Sequence, residues 1–212
     1  MDVVIAGGHG QIALRTLRLL AERGDRARGL IRNRDHAADL EAAGAEAVVC
    51  DLEGEDDVSR CVEGADAVVF AAGAGPGSGP ERKKTVDLGG AVKLIDAARA
   101  NGISRYVMVS AIGASRPETW SEQMRPYYEA KAGADEALAA SGLDHTIVRP
   151  GSLTDEPGTG RVSAAEQLDY GAIPRDDVAA VLVAVLDAPG TIGKAFDLVS
   201  GDTPIEEAVA AL

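Results

Sequence analysis

The stretch VIAGGHGQIA, residues 4–13, decides how the rest of the chain is read. Its apolar start reads as the end of a strand, its glycines crowd one turn, and an amphipathic helix follows. Gly8, Gly10 and Ala13 fit the pattern G-x-G-x-x-G/A, while Gly7, Gly10 and Ala13 fit G-x-x-G-x-x-A equally well. In a strand-turn-helix context, missing side chains let backbone N–H groups and a helix N-terminus approach a pyrophosphate closely. Gly7, Gly8, His9, Gly10, Gln11 and Ile12 are therefore expected to meet a dinucleotide. His9 either touches that cofactor or is an incidental loop residue.

Outward from this turn, short apolar runs alternate with Ala-rich helical stretches. VVIAG (3–7), ARGLIR (27–32), EAVVCD (46–51), ADAVVFAAG (65–73), RYVMVS (105–110), HTIVRP (145–150) and AFDLVS (195–200) are dense in Val, Ile and Leu, as doubly buried parallel strands are. Helices are predicted near 10–23, 36–43, 55–62, 82–101, 126–141, 176–187 and 204–211. Several end at Gly24, Gly44, Gly64, Gly102 or Gly142, where glycine accepts a left-handed C-terminal conformation. Right-handed crossovers make this order an α/β fold. The expectation is one Rossmann-like domain over residues 1–212, with a mainly parallel, doubly wound, seven-stranded sheet and helices on both faces. Residues 1–150 would form the cofactor-binding core, and 151–212 a small substrate-side region rather than a second domain. GAGPGSGP (73–80) reads as a loop, and 154–172, polar with little periodicity, as a flexible flap.

With 34 acidic against 21 basic residues the net charge is -13, so the mean field repels nucleic acids and anionic membranes. A small-molecule substrate is the expected partner. Cys50 and Cys61 lie in no CxxC or metal spacing and are expected as reduced thiols. No leader and no apolar run of about 20 residues is present, so a cytoplasmic protein is expected. His9, His36 and His145 form no ligand spacing, and no metal site is expected.

Cofactor specificity should be set after the second strand, in Ile31-Arg32-Asn33-Arg34. No carboxylate stands there for a ribose 2′-hydroxyl, whereas Arg32 can hold a 2′-phosphate, so NADP is expected over NAD. Asp51 and Leu52, ending the third strand, would lie near the adenine, or Asp51 is a plain surface residue. In YYEAK, Tyr127 and Lys131 stand one helical turn apart, and with Ala134 and Leu138 they share an inward face. A lysine there is unusual. Ser110 ends the fifth strand at the edge where such sheets bind ligands. Tyr128 could instead face the site if the helix is rotated, Pro126 suiting the first turn. Trp120 and Met124 either line a substrate lip or simply pack.

These segments, with VVFAAGAG, RYVMVSAIGA, YYEAKAGADEALAASGLDHTIVRPGSLTD and IPRDDVAAVLV, span nearly the whole chain. Together they resemble atypical short-chain dehydrogenase/reductases that bind NAD(P)H, relatives of NmrA-like and biliverdin-reductase-B-like proteins. The resemblance implies that Gly7 and Gly10 take the pyrophosphate, Arg32 and its neighbour Asn33 the adenosine phosphate, and Ala71, Ala72 and Gly73 the nicotinamide-side ribose. Arg149, Pro150 and Gly151 would lie by the nicotinamide. It further implies a triad of Ser110 orienting a carbonyl, Tyr127 as acid, and Lys131 holding the ribose and lowering the tyrosine pKa. The expected activity is NADPH-dependent reduction of a small carbonyl, quinone or flavin-like compound by a monomer or small homo-oligomer. The alternatives are a dinucleotide-binding redox sensor or, more remotely, a nucleotide-sugar epimerase, whose relatives usually carry a larger C-terminal lobe.

Overall fold

Strand β1 (Asp2–Ala6) lies inside the chain's sheet, third from one edge, paired in parallel with β2 (Arg26–Ile31) on one side and β4 (Ala67–Phe70) on the other. A computed structural model describes residues 1–75 and 77–212; within the expected 73–80 loop, Pro76 lies outside the described residues. Beyond β2 lies β3 (Glu46–Val49), and beyond β4 follow β5 (Arg105–Val109), β6 (Asp144–Pro150) and β10 (Lys194–Ser200), all parallel. These are the seven strands expected from the apolar runs. Among the described residues the sheet has nine, because β8 (Arg161–Ala165) pairs antiparallel with β10, and β11 (Thr203–Pro204) pairs with β8. A separate pair is formed by β7 (Ser152–Thr154) and β9 (Ala172–Pro174). The expected flap over 154–172 therefore contains a strand of the main sheet.

Helices cover both faces. On one face α1 (Gln11–Arg23), α2 (Ala37–Ala42), α6 (Arg175–Leu186) and α7 (Ile205–Ala210) bury Leu17, Leu20, Leu40, Val181 and Ile205. On the other, α4 (Ala91–Ala100) and α5 (Arg125–Ala139) bury Leu94, Ile95 and Leu138 against Tyr106 and Met108. The helix expected over 82–101 starts with one turn, α3 (Pro80–Arg82), and passes through a π-helical segment, Lys83–Gly90, before α4. Such segments often mark functional sites. The helix expected over 55–62 is a single 3-10 turn, Ser59–Cys61. There Asp51 accepts from the Glu53 N–H at 3.0 Å and Asp57 from the Ser59 N–H at 2.8 Å, local bonds that compete with helix.

That turn also corrects the cysteine reading. Cys50 and Cys61 form a disulfide, their Cα atoms 6.3 Å apart. The loop after β3 returns to its own start, a closeness that the 11-residue separation does not reveal. No helix among the described residues is long and apolar enough to cross a membrane.

Gly151 shows how tightly β7 and β9 are laid over the sheet. A Cβ there would overlap the Gly171 carbonyl oxygen and come within 3.1 Å of Val199. Gly151→Ala is expected to cost about 1–3 kcal/mol, lowering the melting temperature by roughly 2–4 °C per kcal/mol, as differential scanning calorimetry can measure. An unchanged melting temperature would contradict this packing.

Candidate functional site

The strand order reverses between β1 and β4, and a cleft opens at their carboxyl ends. The two strand exits nearly touch: a Cβ on Gly7 would stand 2.7 Å from Ala72 Cα, and Gly7 itself has φ +79°. Gly8 is equally constrained against β2, its Cβ position being 2.8 Å from Gly29 Cα. Gly10 caps α1 with no side-chain bond, so the helix presents bare N–H groups there. The cleft is a cavity of about 460 Å³. Of the residues expected at the cofactor, Gly7, His9, Gly10, Arg32, Asn33, Asp51, Leu52, Ala71, Ala72 and Gly73 line it. Gly8, Gln11, Ile12, Ser110, Lys131, Pro150 and Gly151 are not among its lining. A bare glycine turn, a helix start and arginines on one cavity fit a dinucleotide phosphate.

The end of the cavity expected to take the adenosine also contains residues not singled out in the sequence. His36 stacks on His9 with ring centroids 3.7 Å apart, and His9 Nε2 lies 2.7 Å from Asp39. Glu53 bridges two arginines, Oε2 accepting from Arg32 at 3.0 Å and from Arg82 at 3.1 Å. Burial pushes its carboxyl up, but hydrogen bonds from Arg82 and Thr85 and the two guanidinium charges outweigh this and hold it below the usual range. Asp51 spends one oxygen on the Glu53 N–H.

Deeper in, Ser110 continues the ladder of β5, its N–H donating to Val148 at 2.8 Å. Its hydroxyl is buried beside the Asp135 carboxyl but not in hydrogen-bonding geometry, so Oγ has no partner among the described residues. Lys131 is buried on α5; its Nζ donates to the Val109 carbonyl at 3.2 Å and lies 3.2 Å from Asp87 Oδ1. Asp87 belongs to the π-helical segment and accepts from the Ala74 N–H at 3.1 Å. Asp87 escaped the sequence reading because the pairing is tertiary. One turn beyond Lys131, Asp135 accepts from Arg149 Nε at 2.9 Å. Burial raises the Asp135 carboxyl against the pull of Arg149.

Tyr127 is half-buried near this group, with Lys83 Nζ 5.4 Å above its ring. Its phenol is pushed up to about 12, first by burial and then by the charges of Asp87 and Asp135. The expected lowering by Lys131 is not found, because that ammonium is neutralised by Asp87. Tyr128 faces differently, stacking on Trp120 with ring centroids 5.7 Å apart. Arg116 lies 5.0 Å over the Tyr170 ring, while Trp120 Nε1 donates to the Gly113 carbonyl at 2.8 Å. Four of the chain's seven aromatic residues thus gather beside Ser110's end of the sheet; the other three, Phe70, Tyr106 and Phe196, are core. Met124, at 41% exposed, precedes α5 at the same place.

A glycine turn at the switch point of a parallel sheet, opening on a cavity with paired arginines, defines a dinucleotide-binding Rossmann protein. The chain belongs to the NAD(P)H-binding family, whose sequence profile matches residues 7–189. It is 48% identical, over the full length of both chains, to a Bacillus subtilis protein named as an uncharacterized sugar epimerase. Among solved structures it resembles a Bacillus halodurans protein provisionally described as an NAD-dependent epimerase/dehydratase, with 40% identity, TM-score 0.96 and full coverage of both chains. An anaerobillin reductase of Escherichia coli O157:H7 is similar at 25% identity and TM-score 0.81, covering 95% of this chain and 98% of that one.

The Lys131–Asp87 pair makes a stability prediction. Lys131→Met strands a buried carboxylate and should cost about 3–5 kcal/mol, measured by urea unfolding. Adding Asp87→Asn should restore part of that loss, since the charge is gone. Strictly additive effects would show that the two side chains do not interact.

Proposed function

We propose that the protein is an NADPH-dependent reductase of a small conjugated carbonyl, quinone or flavin-like compound. The observation that carries this reading is the Ser110 hydroxyl, buried without a partner at the carboxyl end of β5 and next to the Tyr127–Lys131 face of α5. An unpaired buried hydroxyl is costly unless something completes it; a substrate oxygen would do so. The glycine cradle and Arg32 would hold the dinucleotide, which supplies a hydride when bound. The chain's own task is to orient the oxygen and provide a proton. Ser110 donates a hydrogen bond to the carbonyl oxygen, and the Tyr127 phenol delivers its proton as charge builds there. Water then returns a proton to the phenolate. Lys131, between Asp87 and the Val109 carbonyl, orders the ribose side of the site. Trp120, Tyr128 and Tyr170 offer flat apolar faces suited to a conjugated ring.

The raised phenol favours reduction over epimerisation. A phenol at about 12 stays protonated through pH 6–10 and can give a proton throughout, whereas removing a proton from a sugar hydroxyl requires the phenolate. The name of the Bacillus subtilis relative keeps a sugar epimerase as the second reading. A sensor that binds NADP(H) without turnover is the third, and a substrate panel followed by NADPH absorbance separates it from both enzymes.

On a carbonyl substrate, Tyr127→Phe should lower turnover about 10²–10⁴-fold while barely changing NADPH affinity. Wild-type reduction should show no titration of the phenol between pH 6 and 10. A fall with an apparent pKa near 7–8 that disappears in Tyr127→Phe would mean that the phenol is acidified in the working complex. Full turnover of Tyr127→Phe would remove it as the acid.

A further inference from the structure

The sequence places no acidic residue in Arg32-Asn33-Arg34, directly after β2, yet one reaches the same spot from the next strand. Glu53 follows β3, and its Oε2 sits between the Arg32 and Arg82 guanidinium groups at 3.0 and 3.1 Å, on the wall of the dinucleotide cavity. Arg82 comes from α3, far from the strand ends that usually supply such ligands. We propose that Arg32 and Arg82 form a two-arginine clamp for the 2′-phosphate of NADP(H), and that Glu53 is a built-in competitor which that phosphate displaces. This rests on the NADP(H) reading above and adds to it a second phosphate ligand and a residue that sets selectivity.

The geometry makes displacement local. Lys93 Nζ donates to the main-chain carbonyls of Leu52 at 3.1 Å, Glu53 at 3.3 Å and Glu55 at 2.5 Å, and the Cys50–Cys61 disulfide closes the base of the loop. The backbone of Glu53 is therefore pinned, and only its side chain needs to turn. The other oxygen, Oε1, already accepts from the Thr85 hydroxyl at 2.9 Å, so the carboxylate keeps a partner when it leaves the arginines.

A phosphate brings close to two charges and three acceptor oxygens against the single charge of a carboxylate, and it matches paired guanidinium forks. A ribose 2′-hydroxyl has no charge with which to displace Glu53. NADH therefore leaves the triad closed, and NADPH opens it. The exchange makes selectivity depend on the difference between two anions at one site, so removing the resident anion should sharpen it.

The test is calorimetric titration of NADPH and NADH into the wild type, Glu53→Gln and Arg82→Ala. The expected result is a gain of about 10–150-fold in NADPH affinity for Glu53→Gln and a loss of about the same factor for Arg82→Ala, the range for a hydrogen bond to a charged group. NADH affinity should stay within about 2-fold in both. Glu53→Gln that weakens NADH and spares NADPH would overturn the inference, since Glu53 would then be holding the ribose hydroxyls. Parallel changes for both cofactors would overturn it too, making Glu53 a loop support. A wild type with no preference for NADPH would instead refute the NADP(H) reading; the competitor role then stands if Glu53→Gln still gains NADPH affinity alone, and falls if it does not.

Discussion

The site depends on two strand exits that almost collide. Where β1 and β4 leave the sheet, Gly7 has no room for a side chain against Ala72, and Gly8 none against Gly29 of β2. The missing atoms do two jobs at once. They let the strands diverge at the point where the order reverses, and they bare the backbone at the start of α1. Any larger residue would fill the floor of the cavity and push the strands apart.

A second tie decides what can happen beyond that floor. Lys131 joins α5 to the π-helical segment through Asp87, and Asp87 reaches on to the Ala74 N–H in the loop after β4. Three elements are locked by one buried pair. The same pair bears on the Tyr127 phenol, which burial raises first and the carboxylates of Asp87 and Asp135 raise further, while the ammonium neutralised by Asp87 does not depress it. The state of that phenol follows from burial and this arrangement of charge rather than from the Tyr-x-x-x-Lys spacing.

The parallel strands were legible because strands buried on both faces are densely apolar, as AVVF in β4 and YVMV (106–109) in β5 are. The added strands were not. In β8, RVSAA is short, half-exposed and weakly patterned, and its pairing with the far edge of β10 is decided by tertiary packing. The turn at Ser59–Cys61 went unrecognised because acidic side chains there bond their own loop. The glycines and Arg32 at the cavity, and the positions of Ser110 at the end of β5 and of Tyr127 and Lys131 on α5, could be read from motif and strand-end position. Glu53, Arg82, Asp87 and the Cys50–Cys61 bridge could not, since each acts on a partner distant in sequence or folded back by a loop.

Trp120, the sole tryptophan, stands at the aromatic end of the site and provides a reporter for the central claim that this cleft binds a reduced nicotinamide dinucleotide. Excitation of Trp120 during titration with NADPH should give saturable emission from bound nicotinamide, with one dinucleotide per chain and an affinity in the micromolar range usual for cofactors at working concentrations. No transfer and no quenching of Trp120 up to about 1 mM NADPH, an affinity too weak to count as a cofactor site, would contradict it.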